Sequence, residues 1–288
     1  MAGPPPEPGD GALSSFLACT AIVKALLGFA ALTLPSNFQH THAVLGLTVL
    51  GVVGSALGLG TYRVAQCSLK LQSKDPNASD VLGPVGQISM EVFGRHGRNV
   101  CLVCAVIAQF SFCTAYINTI TTTLQRMFDI PRIVLQVGLC VVLCAQSLIR
   151  DLIGVAWLSV LGMAAYMYIV AALLHFGIAE IGEGRDALEA AWLPVRWEGL
   201  GYLVGPAISA FEGVLVSQYV FVQMKLSDPA PFGRVVIVSH LLALLIFGFI
   251  GAFGFGIYGS RVEDATWSQL SELSLVKQNP RLHNFFVA

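Results

Sequence analysis

Two charged residues fall inside stretches long and apolar enough to be membrane spans, and both lie beside helix-breaking residues. Glu212 sits near the middle of residues 205–225, GPAISAFEGVLVSQYVFVQMK, and Lys24 sits within residues 13–34. At a bilayer centre each charge alone costs about 2.5–3.5 kcal/mol on insertion scales, so such groups face a cavity or a partner. Gly205 and Pro206 precede Glu212 and Gly213 follows it, while Gly28 and Pro35 bracket a second predicted break over residues 28–32. A broken span frees N–H and C=O groups that the protein or a ligand must satisfy. Helix ends of this kind suit the carboxylate and ammonium of a zwitterion, as at a transporter binding site. If the two spans face each other, Glu212 is a coupling or gating carboxylate that Lys24 holds in one state. The same residues also read as a fixed structural pair, with Glu212 alternatively capping freed N–H groups of its own span. Small residues at Ala207, Ser209, Ala210 and Gly213 equally fit a close helix contact, and the first span equally reads as an ordinary helix that stops at Pro35.

Other polar groups offer less. Tyr116, Asn118 and Thr119 either line an aqueous path or make interhelical hydrogen bonds of about 0.6 kcal/mol each. Cys101 and Cys104 have metal or redox spacing, but they lie in an apolar helix whose nearest histidine, His96, is outside it. With Cys19, Cys113, Cys140 and Cys144 they read as packing residues, and Cys67 stands at a helix exit. No nucleophile, base and orienting group recur together, so the sequence does not read as an enzyme, and no cofactor or metal is implied.

The elements that position these groups follow from composition. The 288 residues are 55% hydrophobic and 11% charged, with a net charge of −1 and a mean hydropathy of +0.72. A soluble domain carries about 25% charged residues. Several runs approach the ~20 residues that cross a bilayer, and they are continuous rather than alternating, which predicts helices. The charge balance excludes a nucleic-acid partner and leaves membrane lipid as the surrounding medium. Seven spans are predicted, over 13–34, 43–62, 100–128, 133–149, 152–178, 199–222 and 235–258, after a disordered cytosolic tail (1–12) and before a polar tail (259–288). Residues 81–93 suggest a short amphipathic helix at the interface, weakened in its first half by Pro84 and its glycines. Gly54 and Gly58 mark a close-packing face in the second span. Arg63, Lys70, Lys74, Arg95, Arg98, Arg150, Lys225 and Arg234 place their loops, and with them the N-terminus, on the cytosolic side.

Four stretches, in order along residues 13–258, carry a family resemblance. Residues 22–35 (IVKALLGFAALTLP) resemble the first helix of the amino acid/auxin permeases. Residues 207–213 (AISAFEG), with Met224, Lys225, Asp228, Pro229 and Phe232, resemble the sixth helix of their proton-coupled, vacuolar or lysosomal branch. Residues 92–98 (VFGRHGR) and 109–116 (QFSFCTAY) are similar to the approach to helix three and its start.

The resemblance implies an all-α LeuT-type fold of two inverted repeats, with helices one and six unwound at the substrate. It implies transport of small neutral amino acids with protons or sodium, at a vacuolar, lysosomal or plasma membrane. Carried over by position, the substrate-facing residues are Gly28, Phe29, Ala30, Ala31 and Leu32 in the first span, and Ser209, Ala210, Phe211, Glu212 and Gly213 in the sixth. Three departures bear on this. Phe29 and Ala30 make the first unwound turn bulkier, and Phe29 should narrow the pocket. Ala21 stands where the proton-coupled branch often has histidine. Seven spans against about eleven in the family leave the second repeat incomplete, as in a truncated form. That shortfall keeps a non-transporting amino acid sensor or membrane scaffold open as an alternative. A seven-helix receptor fits less well, because helix three ends in TTTLQRMF (121–128) on the side opposite the cytosol.

Overall fold

The structure, a computed structural model, describes residues 13–28, 30–72, 83–128, 130–147, 162–164, 166–168, 170–172, 175, 195–226 and 228–258. Both predicted tails, most of the fifth predicted span and Phe29 lie outside the described residues.

All regular structure among the described residues is helical. Helix α1 (Ser15–Leu26) is capped by Ser14, whose hydroxyl accepts from the Leu17 N–H at 3.3 Å. Helix α2 (Ala30–Gln72) is two helices joined at His42, whose φ of 63° and ψ of 168° reverse the chain. That conformation is rare outside glycine. Burial of the His42 ring against Phe255, with centroids 5.5 Å apart, keeps it in place. Helix α3 (Pro84–Phe128) bends back at Gly94, which has φ 66° and ψ −166°. Residues 84–93 are therefore helical, and Pro84, expected to weaken that start, begins it. Proline suits a first helical position because its missing N–H has no intrahelical acceptor there. Helix α4 (Arg132–Ser147) follows. Further on come a single 3-10 turn (Trp197–Gly199), α5 (Leu200–Ala210), α6 (Val214–Gln223) and α7 (Ala230–Tyr258).

Four stretches among the described residues are long and apolar enough to cross a membrane: Thr33–Leu71, Pro84–Thr122, Trp197–Gln223 and Ala230–Gly256. Shorter apolar helices among the described residues include Ser15–Leu26 and Arg132–Ala145.

Pro35 does not end the first span. The helix runs through it to the reversal at His42. Pro35 removes only the bond to the Ala31 carbonyl, and side chains of the same turn add bonds to neighbouring carbonyls. Thr33 Oγ1 donates to the Ala30 carbonyl at 3.0 Å, and Asn37 Nδ2 donates to the Thr33 carbonyl at 2.8 Å.

The core is the seam between the two arms of α2 and α7, which runs antiparallel to the 43–72 arm, and rings there fill space left by glycines. A Cβ on Gly46 would come within 2.8 Å of the Phe38 ring, and one on Gly251 within 2.9 Å of it. A Cβ on Gly233 would come within 2.8 Å of Tyr62. The predicted close-packing pair behaves the same way: Gly54 faces Phe211 and Gly58 faces His240. Such approaches give membrane helices the dispersion contacts that replace a hydrophobic driving force.

Contacts between helix ends cluster at two places in the bundle. One end gathers Thr41 and His40 with Arg196, Gly199 and Tyr202. The His40 and Tyr202 rings stack there, 4.6 Å apart. The opposite end joins Leu13, whose N–H donates to the Gln223 carbonyl at 3.2 Å. Helices α3 and α4 leave most of their apolar side chains exposed, including Val103, Ile107, Phe110, Val137 and Val141.

Candidate functional site

The first break lies between α1 and α2. Leu27 N–H closes α1 by donating to the Val23 carbonyl at 2.8 Å, and Gly28 N–H donates to the Leu26 carbonyl at 2.7 Å. Helix resumes at once, because Ala31 N–H donates to the Gly28 carbonyl at 3.2 Å. The predicted unwinding over 28–32 is thus shorter than expected: Ala30, Ala31 and Leu32 already form the first turn of α2. Alanine is the best helix former, so two in succession close the gap early. Two tyrosines from distant segments converge on Gly28. Tyr166 Oη donates to its carbonyl at 2.9 Å. The Tyr116 hydroxyl occupies the place where a Gly28 Cβ would stand.

The second break lies between α5 and α6. Pro206 removes one backbone bond a turn before α5 ends at Ala210. Phe211 and Glu212 are held only by long bonds, from Phe211 N–H to the Ala207 carbonyl (3.3 Å) and from Glu212 N–H to the Ser209 carbonyl (3.4 Å). Gly213 caps α6 with no side chain on the freed N–H groups. The break sends neighbouring side chains opposite ways. Phe211, 1% exposed, packs into the core on Gly54, edge-on to Phe247 (5.2 Å) and stacked on His240 (6.0 Å). Glu212 faces a cavity.

That cavity, of about 740 Å³, is where the two breaks meet. Lys24, Gly28 and Ala30 line it from the first break, and Ser209, Glu212 and Gly213 from the second. Gln109, Phe112 and Tyr116 of α3 and Tyr219 of α6 complete its wall. The breaks are in contact: a Cβ on Gly213 would come within 2.9 Å of Leu26 Cδ2.

Of the sequence-predicted site residues, Gly28, Ala30, Ser209, Glu212, Gly213 and Lys24 are thus brought together. Ala31, Ala210 and Phe211 are not; they are core residues, facing away from the cavity on the helical turn that carries their neighbours into it. Phe29 and the Leu32 side chain lie outside the described residues. Tyr166 was not singled out by sequence, and its only signal was a phenol in an apolar span.

Lys24 and Glu212 share the cavity wall but form no ion pair with each other. The aliphatic stem of Lys24 runs beside Gly162. Each charge instead has a complementary helix end. Lys24 lies in the last turn of α1, at the negative pole, and Glu212 directly precedes the N-terminus of α6, at the positive pole. Such placement lowers the cost of both charges without their meeting.

Helices and cavity define an all-α, multi-pass membrane protein built as transporters are, with two interrupted spans around one internal space. The sequence profile of the family described as "Transmembrane amino acid transporter protein" matches residues 12–278, and the chain belongs to that family. It is 24% identical over 256 residues to a protein named vacuolar amino acid transporter 4 of Saccharomyces cerevisiae, covering 84% of this chain and 34% of that one. It is 25% identical over 256 residues to amino acid transporter AVT3A of Arabidopsis thaliana, covering 85% and 58%. A putative sodium-coupled neutral amino acid transporter 8 of Xenopus tropicalis is 22% identical over 286 residues, covering 89% and 61%. The chain therefore spans about a third to three fifths of the length of these relatives.

Proposed function

We propose that this protein moves small neutral amino acids across a membrane, driven by a proton or sodium gradient, with the cavity between the two breaks as its substrate site. The observation that carries the reading is the uncapped N-terminus of α6, opening beside Glu212 into a cavity that also meets the first break. Free N–H groups and the positive helix pole suit a substrate carboxylate. Glu212 then serves the substrate ammonium or the coupling ion, and Lys24 keeps the site near neutrality. A cavity of about 740 Å³ is in the range of small-ligand sites. Paired breaks in the first and sixth spans support an inverted-repeat fold working by alternating access. The names of the relatives support a vacuolar membrane and leave proton or sodium coupling to measurement.

The test is counterflow in proteoliposomes. Vesicles preloaded with alanine should accumulate labelled alanine or serine, and an imposed pH or sodium gradient should raise the rate. Uptake of sugars or nucleosides alone would overturn the proposal. Binding of alanine without accumulation under any gradient would make the protein a sensor.

A further inference from the structure

A second cavity, of about 540 Å³, lies away from the substrate site, between α7 and the 43–72 arm of α2. Its floor is made by small residues, among them Gly54, Gly58 and Gly233, and its rim by Leu59, Ile237 and Leu241, which are exposed. Of its polar lining residues, Ser55, Tyr62, Arg234 and His240, the last two distinguish it from an ordinary gap between helices. Arg234 lies at its end near the start of α7 and makes no ion pair or hydrogen bond among the described residues. The nearby Asp228 is engaged elsewhere, accepting from the Ala230 N–H at 3.0 Å. His240 lies six residues further along, about 9 Å at helical rise. It is 8% exposed, its Nδ1 is bonded to the Val236 carbonyl at 2.9 Å, and its Nε2 has no partner.

We propose that this groove is a binding site for one anionic glycerophospholipid, its phosphate on Arg234 and one acyl chain laid along the glycine floor. Charge fixes the occupant's head, since a guanidinium at the end of a span with no partner among the described residues calls for an anion from the interface. Basic pockets between spans on the cytoplasmic side bind anionic headgroups, and the charge bias of the sequence places Arg234 on that side. Length fixes its tail. The groove runs from Gly54 to Tyr62 on α2 and from Ala230 to Leu244 on α7. These are about 12 and 21 Å of helix, close to the ~15 Å of hydrocarbon in one leaflet. The exposed rim opens the groove sideways to lipid rather than to water. The inner wall is His240, which stacks on Phe211 at the second break, so an occupied groove braces the residue that anchors the substrate site.

The experiment is native mass spectrometry of the full protein in detergent, with dioleoyl phosphatidylserine or dioleoyl phosphatidylcholine added at equal concentration. Wild-type protein should retain one phosphatidylserine about fivefold better than phosphatidylcholine, the share expected of one interfacial arginine. Arg234→Gln should abolish that preference and Arg234→Lys should keep it. Ser55→Phe, which fills the groove and leaves the charge, should lose both lipids, and it decides the matter if the glutamine variant does not fold. Equal retention of the two lipids overturns the proposal, as does an unchanged Arg234→Gln preference or full retention by Ser55→Phe. Displacement by soluble glycerophosphoserine as effectively as by the lipid overturns it in favour of a free phosphate ligand.

Discussion

Replacing Gly54 by alanine tests how the second break is held. A Cβ at Gly54 would stand 2.8, 2.9 and 3.1 Å from three atoms of the Phe211 ring. Comfortable carbon contacts are about 3.5–4.0 Å, so the ring must retreat by roughly 0.7 to 1.2 Å. It has no room to do so, with His240 stacked behind it and Phe247 against its edge. Overpacking of this kind costs about 1–3 kcal/mol, and alanine in mid-helix returns about 1 kcal/mol. The net expectation is a loss of up to about 2 kcal/mol, or a Tm lower by roughly 4–8 °C at the 2–4 °C per kcal/mol usual for chains near this size. Because Glu212 adjoins the displaced ring, alanine binding should weaken as well, by about tenfold for each 1.4 kcal/mol transmitted. Gly51 and Gly60 supply internal controls on the same helix, since a Cβ at either meets nothing within 4 Å. Their alanine variants should be as stable as wild type or more so. Thermal unfolding in detergent and alanine binding are the assays, and Phe211→Leu should restore part of the loss in the Gly54→Ala background. A Gly54→Ala protein that melts and binds like Gly51→Ala would refute the anchoring of the break by Phe211.

Three further outcomes follow from the cavity. Tyr166→Phe removes the bond to the Gly28 carbonyl and should lower stability by about 0.6–1 kcal/mol while weakening alanine binding; an unchanged melting curve would show that the bond is idle. Gly28→Ala should weaken binding by pushing the Tyr116 hydroxyl aside, and Tyr116→Phe in the same chain should recover part of it, which a titration of labelled alanine reads directly. Glu212→Gln and Lys24→Gln should each give normal expression, because neither leaves a broken ion pair; Glu212→Gln should nonetheless remove the response of uptake to an imposed pH gradient. Loss of either protein that the double variant rescues would restore the fixed-pair reading.

Both breaks were legible in the sequence because their causes are local: Gly28 in one, and Pro206, Glu212 and Gly213 in the other. The extent of the first break was not, since closing it depended on Ala30 and Ala31 starting a new turn immediately. Pro35 misled for a related reason: it removes a single bond, to the Ala31 carbonyl, and the helix carries on through that loss to His42. Residue type and spacing singled out Glu212 but could not say which way Phe211, its neighbour, would point. The convergence of Tyr116 and Tyr166 on Gly28 spans up to 138 residues of chain, beyond any pattern of periodicity.

The partners of α1 carry a consequence for how the chain is assembled. Its inward face, Ala18, Ile22, Val23 and Leu26, is buried in a core completed by α5, α6 and α7. The bonds from the Ser239 hydroxyl to Cys19 join residues 220 positions apart. At about 5–20 residues per second of synthesis, α1 waits tens of seconds in the membrane before its neighbours emerge. Throughout that wait it carries Lys24 without the cavity that later surrounds it. A segment made well before its neighbours is thus among the last to be packed, and a ribosome stalled before Ala230 would leave it, with its charge, for the cell's quality control to recognise.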